Sequence, residues 1–117
     1  MANQIIYSKT FIRKAKELKK RHASLIADLE ELEKSLLEDP KRGADLGAGL
    51  FKIRLAIKSK GKGKSGGYRV VTFLVSQVDS SIIINMLTIY DKMDESSINK
   101  KYLIALINEL FKSWILF

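Results

Sequence analysis

The chain has 117 residues, of which 46% are hydrophobic and 29% are charged, and it contains no cysteine. This length and composition predict one globular domain spanning residues 1–117 and exclude a disordered tail. The lack of cysteine excludes disulfides, a thiolate nucleophile and a cysteine-based zinc site, and we expect no metal or other cofactor.

The net charge of +8 comes from 21 lysines and arginines against 13 acidic residues. A field of this sign attracts polyanions, so nucleic acid is the leading partner, ahead of an anionic membrane or an acidic protein. Charge alone also fits a small protein that is basic for solubility. Residues 1–7 lack the features of a signal peptide, and no apolar run is long enough to span a bilayer. We therefore expect a cytoplasmic protein.

The first half of the chain predicts a short strand followed by two helices. The strand covers Gln4 to Tyr7, and Ser8 is expected to be the N-cap of the first helix. That helix has a strongly basic outer face, typical of a solvated surface but also able to extend a nucleic-acid interface. The second helix starts near Ser24 and ends before Pro40, with one apolar stripe formed by Leu25, Leu29, Leu32 and Leu36. Together the helices predict a helical hairpin, and the lone His22 at the joint is expected to be structural or solvated rather than a functional ligand.

The second half predicts three strands and a last helix. From Leu50 apolar and polar residues alternate, with Phe51, Ile53, Leu55 and Ile57 on one face and Lys52, Arg54, Ala56 and Lys58 on the other. Two further strands are predicted from Tyr68 to Ser76 and from Ser81 to Tyr90, and a helix from about Ser96. The order is β-α-α-β-β-β-α. We predict an α+β fold in which the N-terminal helical hairpin packs on a small antiparallel sheet.

The excess positive charge is local. Between Leu46 and Val78 there is no acidic residue, while this stretch contains Lys52, Arg54, Lys58, Lys60, Lys62, Lys64 and Arg69. Glycines at 61, 63 and 66 match a dinucleotide-binding pattern, but that motif requires a helix after them and a strand is predicted here. Gly63-Lys64-Ser65 matches the end of a phosphate-binding loop, but Lys58 stands where that motif requires its first glycine. Two interpretations of this segment remain. Its alternating lysines and glycines can let the main chain approach a phosphate closely and neutralise it, or the segment is a solvated hairpin loop without a role.

Three segments together resemble the RelE/ParE superfamily of toxins from type II toxin–antitoxin systems, and most closely its HigB-like branch. They are Gly49-Leu-Phe-Lys-Ile-Arg-Leu-Ala, the stretch Gly61–Val71, and Leu87-Thr-Ile-Tyr-Asp-Lys. The resemblance implies a RelE-like microbial RNase fold and a ribosome-dependent endoribonuclease that inhibits translation. The 2′-hydroxyl of the messenger attacks the adjacent phosphate and expels the 5′-oxygen, which requires a base, an acid and stabilisation of the phosphorane.

The resemblance also implies roles for individual residues. In related toxins the catalytic groups are lysine, arginine, tyrosine or histidine on the sheet face, and no histidine stands at the matching positions here. Lysine must therefore serve as the base, with a pKa lowered by neighbouring cations. The catalytic candidates are Lys60, Lys62, Lys64, Arg69, Tyr90 and Lys92. Arg69 would stabilise the developing charge, whereas Tyr90 and Lys92 would orient or protonate. The residues expected to bind the RNA backbone are Lys52, Arg54 and Lys58.

Two other functions stay open from the sequence. A ParE-like toxin would poison DNA gyrase through protein contact, without catalysis. A non-catalytic nucleic-acid-binding module would stack bases on exposed aromatic residues, of which only Tyr68 lies beside the basic loop. A toxin implies a cognate antitoxin, acidic or of the helix-turn-helix type, besides the ribosome and messenger. The apolar segment from Trp114 to Phe117 either closes the core or marks a contact with the antitoxin or a second copy.

Overall fold

The computed structural model describes residues 2–57, 67–93 and 98–115, the last three of these by their backbone alone. In chain order the described elements are β1 (Gln4–Tyr7), α1 (Lys9–Arg21), α2 (Leu25–Glu38), β2 (Ala44–Gly47), β3 (Leu50–Leu55), β4 (Tyr68–Ser76), β5 (Ile82–Asp91) and α3 (Lys100–Ile115). The predicted α+β class is confirmed. Among these helices, none combines the length with the hydrophobicity that a bilayer-spanning segment requires.

The helical hairpin forms as the sequence predicts. The hydroxyl of Ser8 accepts a hydrogen bond from the backbone N–H of Phe11 at 3.0 Å, which is the expected N-cap of α1. The chain leaves helical geometry at Asp39, immediately before Pro40. Tyr7, at the end of β1, donates a hydrogen bond to Glu33 of α2, and burial together with this carboxylate raises the pKa of the tyrosine. The Tyr7–Glu33 hydrogen bond therefore ties the hairpin to the first strand.

The sheet differs from the prediction in three respects. It has five described strands in the order β1-β5-β4-β3-β2, and β1 pairs with β5 in parallel, so the sheet is mixed rather than wholly antiparallel. The strand β2 was not predicted, because the segment around it is rich in glycine and has a single large apolar residue, Leu46. The predicted strand through Lys58 ends at Leu55. The start predicted for the last helix, Ser96, lies outside the described residues, and α3 begins at Lys100 with Asn99 capping the N–H of Tyr102.

Both faces of the sheet are buried. The hairpin covers one face with the four predicted leucines of α2 and with residues of α1, packed against Ile53, Val70, Ile84, Met86 and Ile89. We call this the hairpin face. Helix α3 covers the other face through Leu103 and Leu106, which pack on Leu50, Val71, Leu87 and Tyr90. We call this the α3 face. Side chains on alternate residues of each strand therefore enter two separate cores.

The pairing of β4 with β5 contains a β-bulge. Val71 pairs with Thr88 and Thr72 pairs with Met86, which leaves Leu87 as an extra residue in β5. A bulge of this kind interrupts the alternation of side chains along one strand. Residues of β5 beyond Leu87 therefore point to the face opposite to the one that regular alternation would give.

Two adjacent leucines of α2 test how the hairpin contributes to stability. Leu36 is fully buried, whereas Leu37 is 43% exposed. We expect Leu36→Ala to lower the free energy of unfolding by about 2–5 kcal/mol, because it leaves a cavity among packed side chains. Leu37→Ala, the same chemical change one residue away, should lower it much less. Urea denaturation followed by circular dichroism measures both, and equal losses would contradict this packing.

Candidate functional site

Three polar side chains stand side by side at one end of the α3 face. Arg69 of β4 lies directly opposite Arg54 of β3 on one side and Tyr90 of β5 on the other. Residues that face each other across antiparallel strands have Cβ atoms about 5 Å apart. Arg54, Arg69 and Tyr90 therefore form a continuous row across three strands.

The row belongs to the wall of a cavity of about 310 Å³. Lys52 and Lys92 join the row from neighbouring positions on β3 and just beyond β5, and Ala44 of β2 closes one side. Of the described residues that line this space, four carry a positive charge and none carries a negative one. We refer to these residues as the cationic cleft, formed by Ala44, Lys52, Arg54, Arg69, Tyr90 and Lys92.

The bulge at Leu87 is the reason that β5 contributes to the cleft. Leu87 and Tyr90, three residues apart, both pack in the core on the α3 face, although regular alternation places such residues on opposite faces. Met86 and Ile89, also three apart, both pack on the hairpin face. Without the extra residue, Tyr90 and Lys92 would both point to the hairpin face.

Arg69 forms the floor of the cleft and is only 7% exposed. Its guanidinium donates one hydrogen bond, of 3.4 Å, to the carbonyl of Tyr68. Within the described parts of the chain, no carboxylate forms an ion pair with it. Burying a cation beside other cations is unfavourable unless an anion compensates them. The cleft is therefore arranged to receive negative charge.

Two local contacts hold Lys92 at the edge of the cleft. Its backbone N–H donates to the carbonyl of Gly67 at 3.3 Å, and the side chain of Asp91 accepts from the N–H of Met93 at 2.9 Å. Gly67 has a φ of +85°, and a Cβ at this position would lie 2.8 Å from the carbonyl oxygen of Leu55. Only glycine fits both the backbone angle and the close approach of β3.

The structure brings together all the predicted site residues that it describes: Lys52, Arg54, Arg69, Tyr90 and Lys92. The predicted residues Lys58, Lys60, Lys62 and Lys64 lie outside the described residues, as does the end of the apolar tail. His22 packs edge-on against the buried ring of Tyr68, with ring centroids 5.2 Å apart, and does not line the cleft. Sequence reasoning missed Ala44, which reaches the cleft because its strand β2 pairs with β3.

No protein ligand set for a metal occurs in the described ranges, where histidine, aspartate and glutamate form no group of three or more able to hold an ion. The groups that the cleft offers are cationic or phenolic. Such groups bind phosphate and carboxylate rather than metal ions.

Fold and cleft together define a small α+β domain that concentrates positive charge on one face of its sheet. The family model described as "RelE toxin of RelE / RelB toxin-antitoxin system" matches residues 3–114. The chain belongs to this family of toxins, and membership implies an antitoxin as partner.

Among solved structures, the chain is similar to the E. coli toxin RelE, as a double arginine-to-alanine mutant in the free state. The TM-score is 0.57 at 17% sequence identity, over 82% of this chain and 90% of that one. At this identity the likeness shows the fold. A comparison with curated protein sequences finds no significant match.

The uncompensated charge of Arg69 makes a prediction about stability. We expect Arg69→Met to raise the free energy of unfolding by about 1 kcal/mol or more, because a well-packed apolar chain replaces a buried cation that faces Arg54. Added sulfate should stabilise the wild type more than this variant, since an anion bound in the cleft favours the folded state.

Urea denaturation at low salt, repeated with sulfate, measures both effects. Lys34→Met is the matched control, because it removes one positive charge from an exposed position of α2. A loss of stability in Arg69→Met, with an unchanged response to sulfate, would contradict the anion-binding arrangement.

Proposed function

We propose that this toxin is a ribosome-dependent endoribonuclease that cleaves messenger RNA in the cationic cleft. The observation that carries the proposal is the row Arg54, Arg69 and Tyr90, with Lys52 and Lys92 around the same cavity. Membership of the RelE toxin family supports it, and so does the fold shared with E. coli RelE.

The reaction needs no group beyond those of the messenger and the protein. The 2′-oxygen forms a bond to phosphorus while the bond from phosphorus to the 5′-oxygen breaks. A base removes the proton of the 2′-hydroxyl, and an acid gives a proton to the leaving 5′-oxygen. The products are a 2′,3′-cyclic phosphate and a 5′-hydroxyl, and negative charge builds up on the phosphorane in between.

The cleft offers a group for charge stabilisation at its centre. The guanidinium of Arg69 lies at the floor, and its planar fork of N–H donors suits the equatorial oxygens of a phosphorane. Because it is held by its position in β4 and already withdrawn from bulk water, it needs little reorganisation during the reaction. Electrostatic stabilisation of this kind is often the largest contribution to catalysis.

The remaining residues divide between proton transfer and binding. Tyr90 and Lys92 lie on the β5 side of Arg69, where they can orient the reacting groups or protonate the leaving oxygen. Lys52 and Arg54 lie on the β3 side, where they can hold the flanking phosphates. The lysines 58, 60, 62 and 64 remain candidates for the base and for RNA binding. We further propose an acidic or helix-turn-helix antitoxin, as expected for a HigB-like toxin.

Primer extension on a defined messenger in purified translating ribosomes tests the proposal. We expect wild-type protein to cut at the decoding site, and only in the presence of ribosomes. Arg69→Ala should lower the cleavage rate by about 10²–10³, as expected for the loss of a preorganised charge. Lys92→Ala should lower it by about 10², as expected for the loss of a proton-transfer or orienting group.

Lys34→Ala is the control, because it removes a lysine from α2, which packs on the opposite face of the sheet. It should cut like the wild type. An intact messenger under all conditions would refute nuclease activity. Inhibition of DNA supercoiling would then identify a gyrase poison, and RNA binding without cleavage would identify a binding module.

A further inference from the structure

The hydroxyl of Ser8 contacts the bulge that directs β5 into the cleft. Ser8 follows β1, and its backbone N–H donates to the carbonyl of Met86 at 3.1 Å. Its side-chain Oγ donates to the carbonyl of Leu87, the extra residue of the bulge, at 2.7 Å. The same Oγ accepts the capping hydrogen bond from Phe11. One hydroxyl therefore joins the start of α1 to the bulge.

This contact is half-buried and reaches a fully buried residue of the bulge. Leu87 is fully buried, so its carbonyl has no contact with water while the Ser8 hydroxyl donates to it. The contact also joins segments 79 residues apart, so no local turn preference explains it. A hydrogen bond to an otherwise buried carbonyl stabilises one backbone arrangement over its alternatives.

The alternative arrangement is a β5 without its extra residue. A shift of one residue in strand pairing exchanges the two faces of a strand. Beyond Leu87 such a shift would turn Tyr90 and Lys92 away from Arg69 and would turn Ile89 into the cleft. The bulge thus decides whether the cleft contains its β5 residues.

We propose that Ser8 is a positioning residue for the cleft. Through the hydrogen bond to the carbonyl of Leu87, it holds the bulge that places Tyr90 and Lys92 beside Arg69. It touches neither the cleft nor the reacting groups. Its effect on cleavage rests on the proposed function, whereas its effect on the position of Tyr90 does not.

Two substitutions separate this role from helix capping. A hydroxyl both donates and accepts, whereas a carboxylate only accepts. Ser8→Asp therefore keeps an effective N-cap for Phe11 but loses the donor to Leu87. Ser8→Thr keeps both functions. Ser8→Ala lacks both and serves as a second test, should the aspartate variant fail to fold. Ser24→Ala is the matched control, because it removes a serine hydroxyl bonded to Asp28 at the start of α2.

The experiment combines NMR spectra of the protein alone with single-turnover cleavage on programmed ribosomes. We expect Ser8→Asp and Ser8→Ala to shift the ring signals of Tyr90 and the amide signals of residues 88–92. The maximal rate should fall by roughly tenfold to a hundredfold, as for a small misplacement of catalytic groups. The half-saturating concentration should stay near that of the wild type. Ser8→Thr should restore the rate and the spectrum, and Ser24→Ala should leave both unchanged.

Two results would overturn the role of Ser8. One is an unchanged Tyr90 spectrum in both Ser8→Asp and Ser8→Ala, and the other is an equal loss of rate in Ser24→Ala. If the wild type itself leaves messenger intact, the proposed nuclease function fails. The spectra then decide the Ser8 inference by themselves: shifts in Ser8→Asp and Ser8→Ala that are absent from Ser8→Thr and Ser24→Ala support it, and unchanged spectra in Ser8→Asp and Ser8→Ala refute it.

Discussion

The structure depends on the burial of both faces of one sheet. The helical hairpin covers one face along α2, and helix α3 covers the other face around Leu50, Val71 and Leu87. The hydrophobic effect drives both contacts, since an apolar sheet face left in water is unfavourable. At the end of the α3 face the apolar positions give way to Lys52, Arg54 and Arg69, and there the cavity opens. The cleft thus begins where the apolar core on the α3 face ends.

Charge in the cleft opposes the stability that the two cores supply. Arg54 and Arg69 face each other directly on adjacent strands, and like charges in such a pair repel. A small domain can tolerate this because its leucine-rich hairpin core lies on the far side of the sheet. Residues that conflict with folding in this way are typical of functional sites, where the conflict is relieved by a ligand.

The sequence predicted the elements with strong local patterns. Helix α2 followed from leucines at helical spacing, and β3 and β4 from alternation and β-branched residues. The place of β1 beside β5 could not be predicted, because parallel pairing over such a distance has no local signal. The bulge could not be predicted either, because a leucine at position 87 fits a buried strand with or without an extra residue. The resemblance to known toxins selected Tyr90 and Lys92 and implied a role for Arg69, whereas the residues alone indicated only a local basic stretch that includes Arg69.

The parallel pairing of β1 with β5 also has a consequence for synthesis. Of the described strands, the earliest in sequence pairs with the latest, and Ser8 finds its acceptor 79 residues later in the chain. Contacts this distant in sequence form slowly and cannot form on a nascent chain that still lacks β5. The cleft therefore cannot be completed until Lys92 has left the ribosome, so shorter chains released early would lack its β5 residues.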